Sequence, residues 1–108
     1  MEVKESKHGN FLVLQVSGRL DTSNYGDLEK KLVACIDGGE HTIAIDCSDM
    51  VYISSSGLRV FLMALKKTTA VGGKLVLCGL QDNIREIFEI AGFTAIFTIA
   101  DTLEQAVQ

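Results

Sequence analysis

The sequence predicts an α/β fold in which a mixed β-sheet of about four to five strands is flanked by helices. Short apolar runs rich in β-branched residues alternate with segments whose apolar residues recur at helical spacing. Strands joined through a helix run parallel with right-handed crossovers, whereas strands joined by a tight turn run antiparallel. The predicted order of elements is β-β-α-β-α-β-α-β-α, and no linker divides the 108 residues. We therefore expect a single domain over residues 1–108.

The chain begins with a predicted hairpin. Residues 2–7 form a short edge strand and residues 11–16 an apolar, β-branched strand, with Gly9-Asn10 as the turn between them. Ser17-Gly18 is a turn signal that closes the second strand.

A first helix follows, and Asp21-Thr22-Ser23 offers several N-caps for it. Gly38-Gly39 ends this helix, and its apolar residues recur at helical spacing: Tyr25, Leu28, Leu32, Cys35 and Ile36. Residues 42–46 are a short apolar run, as expected of a strand buried within a sheet.

After a loop, Ser54 begins a second helix that ends at Gly72-Gly73. Its predicted buried stripe is Leu58, Phe61, Leu62, Leu65 and Thr69. The remaining elements are a strand over residues 74–78, a third helix from about Asp82, a short strand over residues 95–99 and a C-terminal helix capped by Asp101.

Composition argues against several classes of function. Asp and Glu outnumber Lys and Arg by 14 to 10, and a formal charge of -4 is unlike a nucleic-acid binder, whose affinity rests on Lys/Arg contacts with phosphate. No apolar run approaches the ~18 residues of a membrane span, and the charged start of the chain is unlike a signal peptide. We expect a cytoplasmic protein with no nucleic-acid partner and no membrane insertion.

The cysteines and histidines suggest no cofactor. Cys35, Cys47 and Cys78 are widely spaced beside apolar residues, which favours buried packing over a disulfide framework or a zinc site. His8 and His41 lie in polar surroundings at element edges, away from any cluster with metal-ligand spacing. We therefore expect no metal and no cofactor.

Three consecutive serines at the start of the second helix stand out. Ser54 as N-cap can accept a hydrogen bond from the first turn, typically worth ~1 kcal/mol. One serine satisfies that need. Ser55 and Ser56 are only mediocre helix formers, and Gly57 in the first turn costs ~0.5–1 kcal/mol relative to Ala. Capping alone therefore leaves this segment unexplained.

Three kinds of chemistry compete for these serines. A nucleophile elbow would need a glycine where Ile53 stands, and neither histidine is placed to act as its general base, so we expect no enzyme and no catalytic residue. A phosphate-binding loop would need glycines and a lysine that are missing, and Asp46 and Asp49 would repel the anion.

The third kind makes a serine the phosphate acceptor. A hydroxyl at a helix start is exposed, and the helix dipole would stabilise a phosphate there by ~0.3–1 kcal/mol. The phosphate would add about -1.5 to -2 charges to the surface, and burying that charge under a partner costs several kcal/mol. Phosphorylation would then leave the fold intact and abolish binding.

Over nearly its whole length, the chain resembles the STAS-domain anti-sigma factor antagonists of bacteria. The residues that carry the resemblance, in order and spacing, are Gly18-Arg19-Leu20-Asp21, Ile45-Asp46, Asp49, Tyr52 to Leu58, Gly72-Gly73, Ala91-Gly92-Phe93 and Ile96-Phe97. The resemblance implies a STAS-like fold, a small mixed sheet flanked by helices. It also implies partner switching in transcription regulation.

In this family the unphosphorylated antagonist binds an anti-sigma factor that is also a serine kinase with a histidine-kinase-like ATPase fold, and the sigma factor is released. The kinase phosphorylates the antagonist and a PP2C-type phosphatase reverses the modification. Carried over to this sequence, the resemblance implies Ser55 as the acceptor, with Ser56 as second choice. The Asp that usually precedes the acceptor is Ser54 here, which raises the alternative of a STAS adaptor subunit of a transport or signalling complex without a phosphoswitch.

The other candidate contacts follow from topology. Loops at the carboxyl ends of parallel strands gather on one side of a sheet, so we expect the loop at residues 46–49 to lie beside the serines and beside the loop after the second strand. The predicted partner-binding residues are Asp21, Thr22, Ser23, Asp49, Ser54, Ser56, Gly57 and Leu58.

Overall fold

The structure, a computed structural model, describes residues 1–108 and contains six strands, four α-helices and one 3₁₀ helix. The strands are β1 (Glu2–His8), β2 (Phe11–Leu20), β3 (Thr42–Asp46), β4 (Met50–Ile53), β5 (Lys74–Cys78) and β6 (Thr98–Ala100). The helices are α1 (Tyr25–Asp37), α2 (Ser55–Ala70), α3 (Asp82–Ile90) and α4 (Leu103–Ala106), with the 3₁₀ helix at Phe93–Ala95. The predicted α/β class is confirmed, with one strand more than expected.

The strands form a single mixed sheet. Its main order is β1-β2-β3-β5-β6, and β4 pairs separately with β2. The predicted hairpin is confirmed, since β1 and β2 are antiparallel and His8 pairs with Phe11 across the two-residue turn. The other pairs are parallel, as the helical connections require.

Strand β2 continues past the position where its end was predicted. Gly18 has a φ of +83°, which glycine adopts without steric cost. The pairing register between β2 and β4 shifts between Gly18 and Arg19. The Gly18 N–H donates to the carbonyl of Asp49 at 2.9 Å. Ser17-Gly18 therefore lies within β2 and is not a turn, and β2 changes its pairing partner at this point. Residues 12–15 pair with β3 and residues 18–20 with β4.

Strand β4 was predicted to be loop. It has only four residues, and it buries Met50 and Ile53 while leaving Val51 and Tyr52 exposed. That pattern lacks the alternation by which a strand is identified in a sequence. Pairing with the upper part of β2 makes it a strand, and this contact joins residues that are far apart in the chain.

The core lies on both faces of the sheet. A cluster of 21 buried residues joins alternate strand positions, such as Leu12, Leu14 and Val16 of β2, to helices α1, α2 and α3. The intervening strand positions face a smaller cluster of six buried residues that α4 covers. No helix is long and apolar enough to cross a membrane.

Several predicted details of the helices were wrong. Helix α1 begins at Tyr25 with Asn24 as its N-cap residue, so the Asp21-Thr22-Ser23 segment does not cap it. Helix α4 is capped by Thr102 and not by Asp101. The predicted strand over residues 95–99 is partly the 3₁₀ helix, with β6 beginning at Thr98.

The buried stripe of α2 is also rotated relative to the prediction. Phe61 is buried as expected, whereas Thr68 and not Thr69 is the buried threonine. The buried residues of this helix are Ser56, Gly57, Val60, Phe61, Ala64 and Thr68. Leu58, Leu62 and Leu65 are only half-buried, and Leu58 and Leu65 pack against the edge of the larger core cluster.

Candidate functional site

The candidate site lies where β2 and β4 end and α2 begins. Leu20 and Ile53 pair at the ends of these two parallel strands, and the N–H of Ser54 donates to the Leu20 carbonyl at 2.9 Å. Asp21 and Ser54 are thus the first residues beyond two neighbouring strands. The structure brings the loop after β2 and the three serines together, as the sequence predicts.

The three serines have different surroundings. The Ser54 hydroxyl accepts from the Gly57 N–H at 3.2 Å and caps α2, as predicted. Ser56 is only 8% exposed, and its hydroxyl oxygen accepts from Nη2 of Arg59 at 3.3 Å. Ser55 is exposed, and its hydroxyl has no hydrogen-bond partner within the chain. Of the three hydroxyls, that of Ser55 is both accessible and unengaged.

Gly57 and Leu58 face inward to different degrees. A Cβ on Gly57 would lie 2.8 Å from Ile53 Cγ1 and 2.8 Å from Leu20 Cγ, so this glycine lets the first turn of α2 rest directly on the two strand ends. Leu58 is half-buried and packs against the larger core cluster. Gly57 therefore determines how close the serines lie to the sheet, and Leu58 is the residue beside it that is partly accessible at the surface.

The loop after β2 is a hydrogen-bonded turn. Oδ1 of Asp21 accepts from the Ser23 hydroxyl at 2.6 Å and from the Ser23 N–H at 3.0 Å, and these bonds lower the pKa of the Asp21 carboxyl from 3.8. Asn24 accepts from the Asp21 N–H at 2.9 Å and donates to the Arg19 carbonyl at 2.8 Å. Thr22 and Ser23 are exposed at the tip of this turn.

Sequence reasoning missed a pair of side chains beside this turn. The Arg19 guanidinium lies 4.0 Å from the centroid of the Tyr52 ring, and its Nε is 3.7 Å from Oδ2 of Asp21. The two residues are register partners on β2 and β4. Because β4 was not predicted, no signal in the sequence could have placed Tyr52 against Arg19.

The expectation that the loop at residues 46–49 lies beside the serines was wrong. Asp49 directly precedes β4 and Ser54 follows it, so five residue steps along an extended strand separate them by about 17 Å at ~3.3 Å per residue. Asp49 instead accepts from Nε2 of Gln15 at 3.1 Å. The side chain of Asp46 accepts from the Ser48 N–H at 3.1 Å. Asp46 ends β3 and Asp49 precedes β4, so the two aspartates flank a second loop, which meets β2 where the Gly18 N–H donates to the Asp49 carbonyl.

The remaining reactive side chains lie away from the serines. Cys47 and Cys78 are buried at the ends of β3 and β5, and burial raises the pKa of the Cys78 thiol to about 12 and that of Cys47 well above 9.0. No group of three or more His, Cys, Asp or Glu side chains is arranged to hold a metal ion.

Comparison with known proteins identifies the family. A family model of the STAS domain matches residues 2–106. The chain belongs to the STAS domain family. The resemblance drawn from the sequence is thereby confirmed.

Two relatives of this STAS domain cover almost its whole length. It is 40% identical over 106 residues to BtrV of Bordetella bronchiseptica, which is assigned as an anti-sigma factor antagonist, covering 98% of this chain and 91% of BtrV. It is 25% identical over 104 residues to the anti-sigma-B factor antagonist of Staphylococcus epidermidis, covering 96% of each chain.

A solved structure shares the fold of this STAS domain. SpoIIAA of Bacillus, in its phosphorylated form, matches with a TM-score of 0.77 over 98% of this chain and 96% of that chain, at 22% identity. This chain and SpoIIAA thus share one fold, a mixed sheet with helices on its faces.

Proposed function

We propose that this STAS domain is an anti-sigma factor antagonist that binds an anti-sigma factor serine kinase in its unphosphorylated form, and that phosphorylation of Ser55 ends the binding. The observation that carries the proposal is the exposed, unengaged hydroxyl of Ser55 in the first turn of α2. The flanking hydroxyls of Ser54 and Ser56 are already in hydrogen bonds.

The relatives support the same role. BtrV is assigned as an anti-sigma factor antagonist, and the Staphylococcus epidermidis relative is named an anti-sigma-B factor antagonist. SpoIIAA, which shares the fold, exists in a phosphorylated form. The partners of this chain would be a serine kinase with a histidine-kinase-like ATPase fold and a PP2C-type phosphatase.

The surface around Ser55 suits a protein partner. Thr22 and Ser23 on one side are exposed, and the aromatic residue Tyr52 on the neighbouring strand is 38% exposed. Aromatic residues are enriched at protein interfaces because they combine a large apolar area with a polar group. Asp21 carries a negative charge at neutral pH, since hydrogen bonds from Ser23 favour its ionised form.

A phosphate on Ser55 would act on the interface and not on the fold. The N-terminus of α2 tolerates negative charge, and no carboxylate lies in its first turn. Docking a partner over the same turn would bury about -1.5 to -2 charges, and removing them from water costs several kcal/mol. The chain itself would act by binding, with no catalytic residue, cofactor or metal.

Affinity capture tests the proposal. The wild-type chain and the Ser55→Ala and Ser55→Glu variants are immobilised and exposed to lysate of the cells that produce the protein, and the retained proteins are identified by mass spectrometry. We expect wild type and Ser55→Ala to retain a kinase of the histidine-kinase-like ATPase fold. Ser55→Glu should lose it, with a thermal midpoint within about 2 °C of wild type because the side chain is exposed.

Ser48→Glu is the matched control, since Ser48 is exposed in the second loop, at the far end of β4. This variant adds the same charge and should retain the kinase. Equal retention of the kinase by Ser55→Glu would contradict the switch. If all variants retained a different set of proteins that contained no kinase, the adaptor alternative would be supported. The serine at position 54, where the family usually has Asp, also favours that alternative.

A further inference from the structure

Arg59 is an arginine without an acidic partner. The chain has three arginines, of which Arg19 pairs with Asp21 at 3.7 Å and Arg85 with Asp101 at 3.6 Å. Arg59 is exposed, and no carboxylate oxygen lies within 4.0 Å of its guanidinium. Its side-chain hydrogen bond is with Ser56, to whose hydroxyl Nη2 donates at 3.3 Å. The guanidinium is therefore directed back toward the first turn of α2.

On α2, Arg59 shares a helix face with Ser55. The two residues are four apart on α2, and residues at this spacing are neighbours on one face of a helix. Both side chains are exposed. A guanidinium presents several N–H donors in a fork that matches the oxygens of a phosphate, and it can bind two of them at once.

We propose that Arg59 binds the phosphate of phosphorylated Ser55 and holds it against the first turn of α2. The proposal rests on the assignment of Ser55 as acceptor. In the unphosphorylated chain the guanidinium donates to the Ser56 hydroxyl, and after phosphorylation it donates to the phosphate oxygens instead. The N-cap is the neutral Ser54 and the first turn holds no acidic residue, so no carboxylate of this turn competes with the phosphate for Arg59. Arg59 thereby favours the dianionic form of the phosphate.

The test is a ³¹P NMR pH titration of the full chain with phosphoserine incorporated at position 55 during translation. The second pKa of a phosphoserine is about 6, and a bound guanidinium lowers it. We expect Arg59→Gln to raise the midpoint by about 0.5 unit, as for a solvent-exposed charge pair. Arg59→Lys keeps the positive charge but lacks the forked donors, so its midpoint should lie between those of the wild-type chain and Arg59→Gln.

Lys66→Gln is the matched control. Lys66 is exposed on the same helix, eleven residues from Ser55, or about 16 Å along the axis, where salt screens most of its charge. A shift for Arg59→Gln well above that of Lys66→Gln supports the proposal, and equal shifts would overturn it. Because translation supplies the phosphoserine, this result does not depend on whether a kinase modifies Ser55, so it is separable from the capture experiment.

Discussion

At the scale of single residues, Gly57 determines how closely the serines approach the sheet. A methyl group on this residue would overlap Leu20 and Ile53, which are fully or almost fully buried and cannot move aside. The sequence suggested Gly57 as a partner contact because it follows the serines. The role of Gly57 in packing depends on Leu20, which lies 37 positions earlier in the chain. A local sequence pattern cannot reveal such a contact.

Gly57→Ala should destabilise the chain by about 1–3 kcal/mol through overpacking, despite the gain in helix propensity. Gly26→Ala in α1 is the control, because a Cβ there meets nothing within 4 Å. That variant should be neutral or up to ~1 kcal/mol more stable. Urea denaturation measures both changes. Equal stability of the two variants would contradict the close packing of α2 on the strand ends.

At the scale of elements, the start of α2 could be predicted and strand β4 could not. Ser54 follows an apolar segment and precedes a helical pattern, which is a local signal of an N-cap, and the structure confirms it. Strand β4 depends on the continuation of β2 beyond its pairing with β3, through Gly18 to the residues that pair with β4. The failure to predict β4 also explains the wrong expectation for Asp49. Had residues 50–53 been a loop, the loop at residues 46–49 could have folded back beside the serines.

The cap of α2 predicts a contrast between neighbouring serines. Ser54→Ala removes the acceptor of the Gly57 N–H and should cost about 1 kcal/mol, whereas Ser54→Asp keeps an acceptor and should cost less. Ser55→Ala removes no hydrogen bond and should change the stability by less than ~0.5 kcal/mol. The comparison uses the midpoint of chemical unfolding for each variant. A larger loss from Ser55→Ala than from Ser54→Ala would show that the capping serine is misassigned.

At the scale of the whole molecule, a core on each face of the sheet protects the thiols. Cys47 belongs to the larger cluster and Cys78 to the smaller one, and both are fully buried. Since the thiolate is the reactive form, burial and a raised pKa together make these two cysteines inert in the folded state. Cys35 on α1 is only half-buried.

Ellman's reagent should therefore modify Cys35 first, and its rate should still rise above pH 9.0 because the pKa of this thiol is also raised, mainly by partial burial. Cys47 and Cys78 should react only as fast as the whole domain unfolds, with a rate that increases with urea. In the Cys35→Ser variant no fast phase should remain. A fast phase in that variant would mean that one face of the core opens independently.

The measurement that tests the proposed function most directly is phosphopeptide mapping by mass spectrometry on the protein recovered from its own cells, during growth and under stress. We expect phosphate on Ser55, with an occupancy that differs between the two conditions. Phosphate on Ser56 would contradict the assignment, because that hydroxyl is buried and hydrogen-bonded to Arg59. No phosphate on any serine in either condition would contradict the switch itself.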